Sequence, residues 1–221
     1  MYDGLLLDHD GVVVTLVDGS TLDRAAVEAF RDVGVDDPDP DAVDAISIRA
    51  NRDDLHGVSH QYGVDPERLW CARDDRVRDA LLAQVRRDRK VPYDDVDALD
   101  AVDRPLGIVS NNQTRIVEAI LDHYGLAGHV DTIRARTPRL ESLDRKKPRP
   151  TFLEEAMADL AVENPLYVGD SPSDVEAGHR AGLDVAYIRR GHNGDRSLAH
   201  EPTYEVEGLD EVVAILDGGK H

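Results

Sequence analysis

One cysteine, Cys71, occurs in 221 residues. No intrachain disulfide can form, and a metal centre built from several thiolates is excluded. Lysine is scarce too, confined to Lys90, Lys146, Lys147 and Lys220. Aromatic residues make up 5% of the chain, and no apolar run approaches the ~20 residues that a membrane span requires. The opening residues, MYDGLLLDHD, carry neither a basic start nor a long apolar stretch, so a secretory leader is not expected. These absences point to a cytoplasmic protein without a membrane partner.

Positive charge is in deficit, with 26 Lys and Arg against 45 Asp and Glu and a formal net charge of −19. Nucleic acid and anionic lipid surfaces are bound through clustered Lys and Arg, so neither is an expected partner. The acidic residues are spread along the chain rather than gathered into a tail. With arginine as the main base and aspartate throughout, the composition resembles that of proteins from salt-loving archaea. High salt screens the self-repulsion that would otherwise destabilise such a chain.

What is present suits an α/β protein. The length accommodates one substantial domain and a smaller inserted one, and a 41% hydrophobic fraction suffices for a core. Short apolar runs ending in polar residues or glycine read as strands at Leu5–Leu7, Leu106–Val109, Leu166–Val168 and Val185–Ile188, with a weaker one at Val130–Ile133. Between them TRIVEAILDHYG and TFLEEAMADL place apolar residues at helical spacing. Strands alternating with helices predict a parallel sheet covered on both faces. The alternation fails between about residues 18 and 95, where three helical stretches follow one another without strands. This region reads as a helical insertion, and the sheet domain is then built from both ends of the chain.

The candidate chemistry sits at strand ends. Asp8 and Asp10 follow the first strand, and alternation along an extended segment lets both point to one side. In open parallel sheets that end is where ligands bind. A carboxylate can accept a phosphoryl group, and a second carboxyl nearby can protonate the leaving oxygen. D-x-D alone is a weak signal, since Asp37, Asp39 and Asp41 repeat it in a turn-rich linker. Only the first pair ends an apolar strand and precedes a glycine, Gly11. In LYVGDSPSDVEAG a second apolar strand ends in Asp170, with Asp174 four residues on. Asp8, Asp10 and Asp170 can supply carboxylate oxygens to Mg²⁺, which also keeps sites for water and phosphate. Asp174 also suits a helix start, where the macrodipole favours an acid. Ser110, Asn111 and Asn112 follow the Leu106–Val109 run and offer a hydroxyl and amides for phosphate oxygens, with helix capping by Asn112 or a neighbour as the alternative. Lys147, in KKPRPTF, can act as a point charge on phosphate.

These four stations, in this order, resemble the haloacid dehalogenase superfamily: D-x-D-G at Asp8 to Gly11, Ser110 after a second strand, Lys147 before K-P-x-P, and G-D-x-x-x-D at Gly169 to Asp174. The resemblance covers almost the whole chain. It implies a Rossmann-like, doubly wound parallel sheet core over residues 1–17 and 96–221, with an inserted α-helical cap over 18–95. It implies Asp8 as nucleophile and Asp10 as general acid, then as base for hydrolysis of an aspartyl-phosphate. It also implies Mg²⁺ held by Asp8, the Asp10 carbonyl and Asp170, with Asp174 in support, and Ser110, the Asn111 backbone and Lys147 on the phosphoryl oxygens. Val12 and Thr15 depart from the residues frequent after D-x-D-G.

Asp10 favours phosphate esters, since the dehalogenases of this superfamily lack the second acid. The expected activity is Mg²⁺-dependent hydrolysis of a small phosphorylated metabolite of the phosphoglycolate or sugar phosphate class, by a monomer or homodimer. Arg49 and Arg52 of the insertion are candidate contacts for an anionic substrate, with surface arginines as the alternative account. A phosphomutase, a phospho-accepting receiver domain and a silent binding protein stay open as alternatives.

Overall fold

The computed structural model describes residues 1–48 and 50–218. Six strands, β1 (Leu5–Leu7), β2 (Leu106–Gln113), β3 (Thr132–Arg136), β4 (Leu166–Gly169), β5 (Val185–Ile188) and β6 (Tyr204–Val206), form one sheet in the order β3-β2-β1-β4-β5-β6. β1 is central, parallel to β2 with Leu5 opposite Leu106 and parallel to β4 with Leu5 opposite Leu166. The parallel pairing continues through β5 to β6. Strands covered on both faces read as unbroken apolar runs; all three leucines of β1 are fully buried.

Around the sheet lie α5 (Thr114–His123), α6 (Thr151–Leu160), α7 (Pro172–Arg180) and α8 (Leu209–Leu216). Phe152, Leu153 and Ala156 of α6 and Val175 and Ala177 of α7 pack with Leu6, Val109, Tyr167 and Tyr187 of the sheet. The α/β class read from the sequence is the observed one. β3 starts two residues later than expected, and β6 and α8 complete the edge beyond β5.

Contacts divide the chain into two compact units: Met1–Thr15, Val91–Ala135 and Lys146–His221, which carry the sheet, and Leu16–Lys90 with Arg136–Arg145. The second unit holds α1 (Gly19–Asp32), α2 (Pro40–Ser47), α3 (Arg52–Tyr62) and α4 (Pro66–Val85). α1 starts where the Asp18 carboxylate accepts from the Ser20 N–H at 2.8 Å, and α4 where Asp65 accepts from Arg68 with Pro66 at the first helical position. Asn51 caps α3 by accepting from Asp54, which separates α2 from α3 within the stretch 41–55.

Trp70 is buried in this unit with Phe30, Ile46 and Leu55, and Leu140 and Leu143 bring the 136–145 stretch into the same core. The guanidinium carbons of Arg73 and Arg136 each lie 4.9 Å from the Trp70 ring centroid. Both arginines donate to the buried Asp74 carboxylate, Arg136 through two bonds of 2.9 Å. The buried charges are thereby paired and hydrogen-bonded, as burial demands.

Candidate active site

The strand order reverses at β1; Asp8 and Asp170 follow the C-terminal ends of β1 and β4, and Ser110 lies in the second half of β2, which runs on to Gln113. Asp8 directly follows β1, its backbone N–H bonded to the Val168 carbonyl at 2.9 Å. The chain then turns sharply, with Val13 and Val14 donating to the His9 carbonyl and Gly11 donating to that of Val14. Gly11 has φ +88°, and a Cβ there would stand 2.2 Å from Asp170 Oδ2. Glycine is therefore required both for the backbone and for the approach of the Asp170 carboxylate.

Lys147 is buried and central. Its Nζ lies 2.9 Å from Asp8 Oδ1 and 2.7 Å from Asp174 Oδ1, and 3.0 Å from both the Val109 carbonyl and the Tyr167 hydroxyl. An ammonium has three N–H donors, so these four oxygens engage it fully. Asp174 is engaged as well: Oδ1 also accepts from Tyr167 at 2.7 Å, and Oδ2 accepts from the Ser171 N–H and hydroxyl at 3.0 and 2.5 Å. With Ser171 it forms the capping box of α7.

Asp170 Oδ2 is 2.6 Å from His192 Nε2, and the Asn193 amide donates to the Asp170 and Ile188 carbonyls. The Asp10 side chain is 26% exposed and takes a 2.8 Å bond from Asn112 Nδ2, with His9 Nδ1 3.1 Å from its other oxygen. Ser110 is buried and its hydroxyl accepts from the Asn112 N–H. Asn111 clasps the backbone of Lys147, donating to its carbonyl at 3.1 Å and accepting from its N–H at 2.8 Å.

The electrostatics are dominated by crowded acids. Burial pushes the Asp8 carboxyl well above its ordinary range, reinforced by Asp174 and Asp170 and opposed by Lys147. Asp170 is raised by burial and by Asp174, against the bond with His192. Asp174, despite burial, is held below the ordinary value by Lys147, Ser171 and Tyr167. Burial would depress the Lys147 ammonium, but Asp174 and Asp8 override it and raise the pKa. Asp8, Asp170 and Asp174 each offer an oxygen within 4.8 Å of the others. Clustered carboxylate oxygens are the ligands that a hard cation such as Mg²⁺ takes. The spacing and the surplus negative charge both fit a hard divalent cation.

Comparison with known proteins identifies the family and the fold. Residues 76–188, more than half of the chain, match the family model described as haloacid dehalogenase-like hydrolase. The chain belongs to the haloacid dehalogenase-like hydrolase family. Curated relatives include a D-glycero-D-manno-heptose-1,7-bisphosphate 7-phosphatase of Chlorobaculum tepidum, 41% identical over 34% of this chain and 42% of that protein. Another is a phosphoglycolate phosphatase of Aquifex aeolicus, 33% identical over 58% of each. The chain thus spans about half the length of these relatives. The crystal structure of CbbY from Rhodobacter sphaeroides in complex with phosphate superposes with a TM-score of 0.71 at 18% identity, covering 96% of both chains, which shows the shared fold.

Within this chain the residues expected from sequence in the sheet unit, Asp8, Asp10, Ser110, Asn111, Lys147, Asp170 and Asp174, gather at one end of the sheet through the contacts given above. Arg49 lies outside the described residues. Arg52, in the helical unit, pairs with Asp144 at 2.8 Å and lines a cavity of about 410 Å³ with Glu67, Arg139, Leu140 and Glu141. The sequence reads Asn112 as a phosphate donor or helix cap and not as a partner of Asp10, and it leaves out Tyr167, His192 and Asn193. The last two had a usable signal: RRGHN directly follows an apolar strand, the pattern that singled out Asp8 and Asp170. Among the described residues no helix is long and apolar enough to cross a membrane.

Proposed function

We propose that this chain is a divalent-cation-dependent phosphatase acting on a small phosphate ester through an aspartyl-phosphate on Asp8. The carrying observation is the buried Asp8 carboxylate at the end of β1, with Lys147 at 2.9 Å and Asp170 alongside. In this reading an Asp8 oxygen attacks phosphorus, the ester P–O bond breaks, and the leaving oxygen takes a proton from the Asp10 carboxyl. Asp10, now ionised, accepts a proton from water as the water oxygen attacks the aspartyl-phosphate. The P–O bond to Asp8 breaks, and inorganic phosphate leaves.

Asp8, the Asp10 carbonyl and Asp170 would hold Mg²⁺, whose charge would offset that of the phosphoryl oxygens. Asp174 serves mainly by fixing Lys147, since both of its oxygens are spent within the protein. Lys147 trades one of its four oxygen partners for a phosphoryl oxygen, and Ser110 with the Asn111 backbone supplies further donors. The helical unit is assigned the choice of leaving group, with Arg52 as its contact for an anionic substrate. The relatives named for phosphoglycolate and a heptose bisphosphate support small carboxylated or sugar phosphates as the substrate class.

The test is phosphate release from p-nitrophenyl phosphate, phosphoglycolate and hexose phosphates in molar KCl, with Mg²⁺ and then with EDTA. Release that EDTA abolishes and Mg²⁺ restores is the expected result. Release indifferent to EDTA would overturn the metal assignment. Isomerised sugar phosphate without free phosphate would reassign the chain as a mutase.

A further inference from the structure

Asn112 has no part in the chemistry assigned above, yet its carboxamide is held at both ends. Its Oδ1 accepts from the Gln113 N–H at 2.8 Å, and its Nδ2 donates to Asp10 Oδ2 at 2.8 Å. The two ends of an amide are told apart by their partners. A backbone N–H can only donate, so the oxygen faces Gln113 and the NH₂ faces Asp10. The Asn112 N–H is fixed as well, bonded to Ser110 Oγ at 3.1 Å. Capping does not account for this arrangement, because the start of a helix presents N–H donors and calls for an acceptor. The NH₂ is turned instead to a carboxylate 102 positions earlier in the chain.

We propose that Asn112 is a positioning residue that fixes the Asp10 carboxyl for proton transfer, an inference that rests on the Asp8 and Asp10 roles given above. The bond from Asn112 requires an acceptor at Oδ2. With Oδ2 held as an acceptor, the transferable proton of Asp10 falls to Oδ1, 3.1 Å from His9 Nδ1, which serves as the acceptor there in the Nε2–H tautomer. In the first half-reaction this proton goes to the leaving oxygen as the ester P–O bond breaks. In the second, the same oxygen receives the proton of the attacking water as the P–O bond to Asp8 breaks. Asn112 thus sets which oxygen of Asp10 works and where it points.

The experiment compares wild type with Asn112→Ala, with Mg²⁺ present, by rapid quench on two esters. Nitrophenolate leaves from p-nitrophenyl phosphate without needing a proton, whereas the alkoxide of phosphoglycolate needs one. Asn112→Ala is expected to keep a fast burst of one equivalent of nitrophenolate followed by slowed turnover. Single-turnover cleavage of phosphoglycolate should fall about 10- to 100-fold, part of the ~10²–10⁴ that a positioned acid–base supplies. KM for p-nitrophenyl phosphate should fall along with kcat, since only the second half-reaction slows on that ester. Equal loss in the nitrophenolate burst and in single-turnover phosphoglycolate cleavage, or loss in neither, would overturn the proposal. If Asn112→Ala does not fold by circular dichroism, Asn112→Leu, close in shape but without the donor, carries the same expectation. Asp10→Ala run in parallel separates the two assignments. If it leaves phosphoglycolate cleavage intact, the Asp10 role fails; if it is severe while Asn112→Ala is silent, only the Asn112 role fails.

Discussion

Asp8 is placed where its own charge is disfavoured: the side chain is buried, Asp174 and Asp170 stand close, and Lys147 offsets only part of this. A carboxylate held in this way costs stability, a common trade at functional sites. Its folded-state pKa lies above the ordinary carboxylate value, so the folded chain binds this proton more tightly than the unfolded chain does. The stability this confers is fully present below the unfolded pKa of ~3.9 and is lost as pH rises through the raised folded value. Asp8→Asn, which cannot ionise, escapes that loss. In EDTA the variant is expected to melt above wild type at pH 8, with the gap closing toward pH 4. Mg²⁺ should shrink the gap at pH 8 by giving the wild-type carboxylate a counter-charge. A variant that melts below wild type at pH 8 in EDTA would show that the Lys147 pair outweighs burial and like-charge repulsion.

At the scale of elements, the segment following β5 acts as a clamp on the end of β4. His192 meets the Asp170 carboxylate at 2.6 Å, and Asn193 ties the Asp170 carbonyl to that of Ile188. Arg190 anchors the segment, with both guanidinium NH₂ groups on the Asp95 carboxylate and a further bond to the Val12 carbonyl. Partners that orient a ligating carboxylate typically change metal affinity by ~10–100-fold when removed. His192→Ala is expected to weaken Mg²⁺ binding by that factor in calorimetry without substrate, and an unchanged affinity would remove His192 from the metal assignment.

The sequence disclosed β1, β2, β4 and β5 because parallel strands buried on both faces read as apolar runs, and it disclosed Asp8, Ser110 and Asp170 because they end those runs. It did not disclose β6, whose three residues include an exposed Glu205. Nor did it show that Leu140 and Leu143 join the helical core, or that Asn112 and His192 meet Asp10 and Asp170. Those pairings span 102 and 22 positions and arise only once the sheet has brought the strand ends together.

The whole molecule carries 45 acidic residues against 26 Lys and Arg. The arginines are used heavily: Arg76 forks onto Asp32 and Arg134 onto Asp159, each through two bonds of 2.5–2.6 Å, and Arg180 and Arg189 pair with Glu176 and Glu205. Added salt acts in two opposite directions on this surface. It weakens exposed pairs, each worth ~0.2–1 kcal/mol, and it screens repulsion among the acids that have no base to match them. The net charge of −19 decides the sign. Every unmatched acid repels many others over distances comparable to the Debye length, about 10 Å at 0.1 M and about 3 Å at 1 M, whereas each pair is a single short contact. The melting temperature is therefore expected to rise from 0.1 to 1 M KCl and to flatten above that, where the screening length has fallen below the spacing between neighbouring surface charges. Matched ionic strengths of KCl and potassium sulfate separate the causes: screening gives similar rises in both, whereas exclusion of sulfate from the surface gives a larger and continuing rise in sulfate alone. A melting temperature that falls with KCl would mean that the ion pairs, not the surplus acids, govern the stability of this chain.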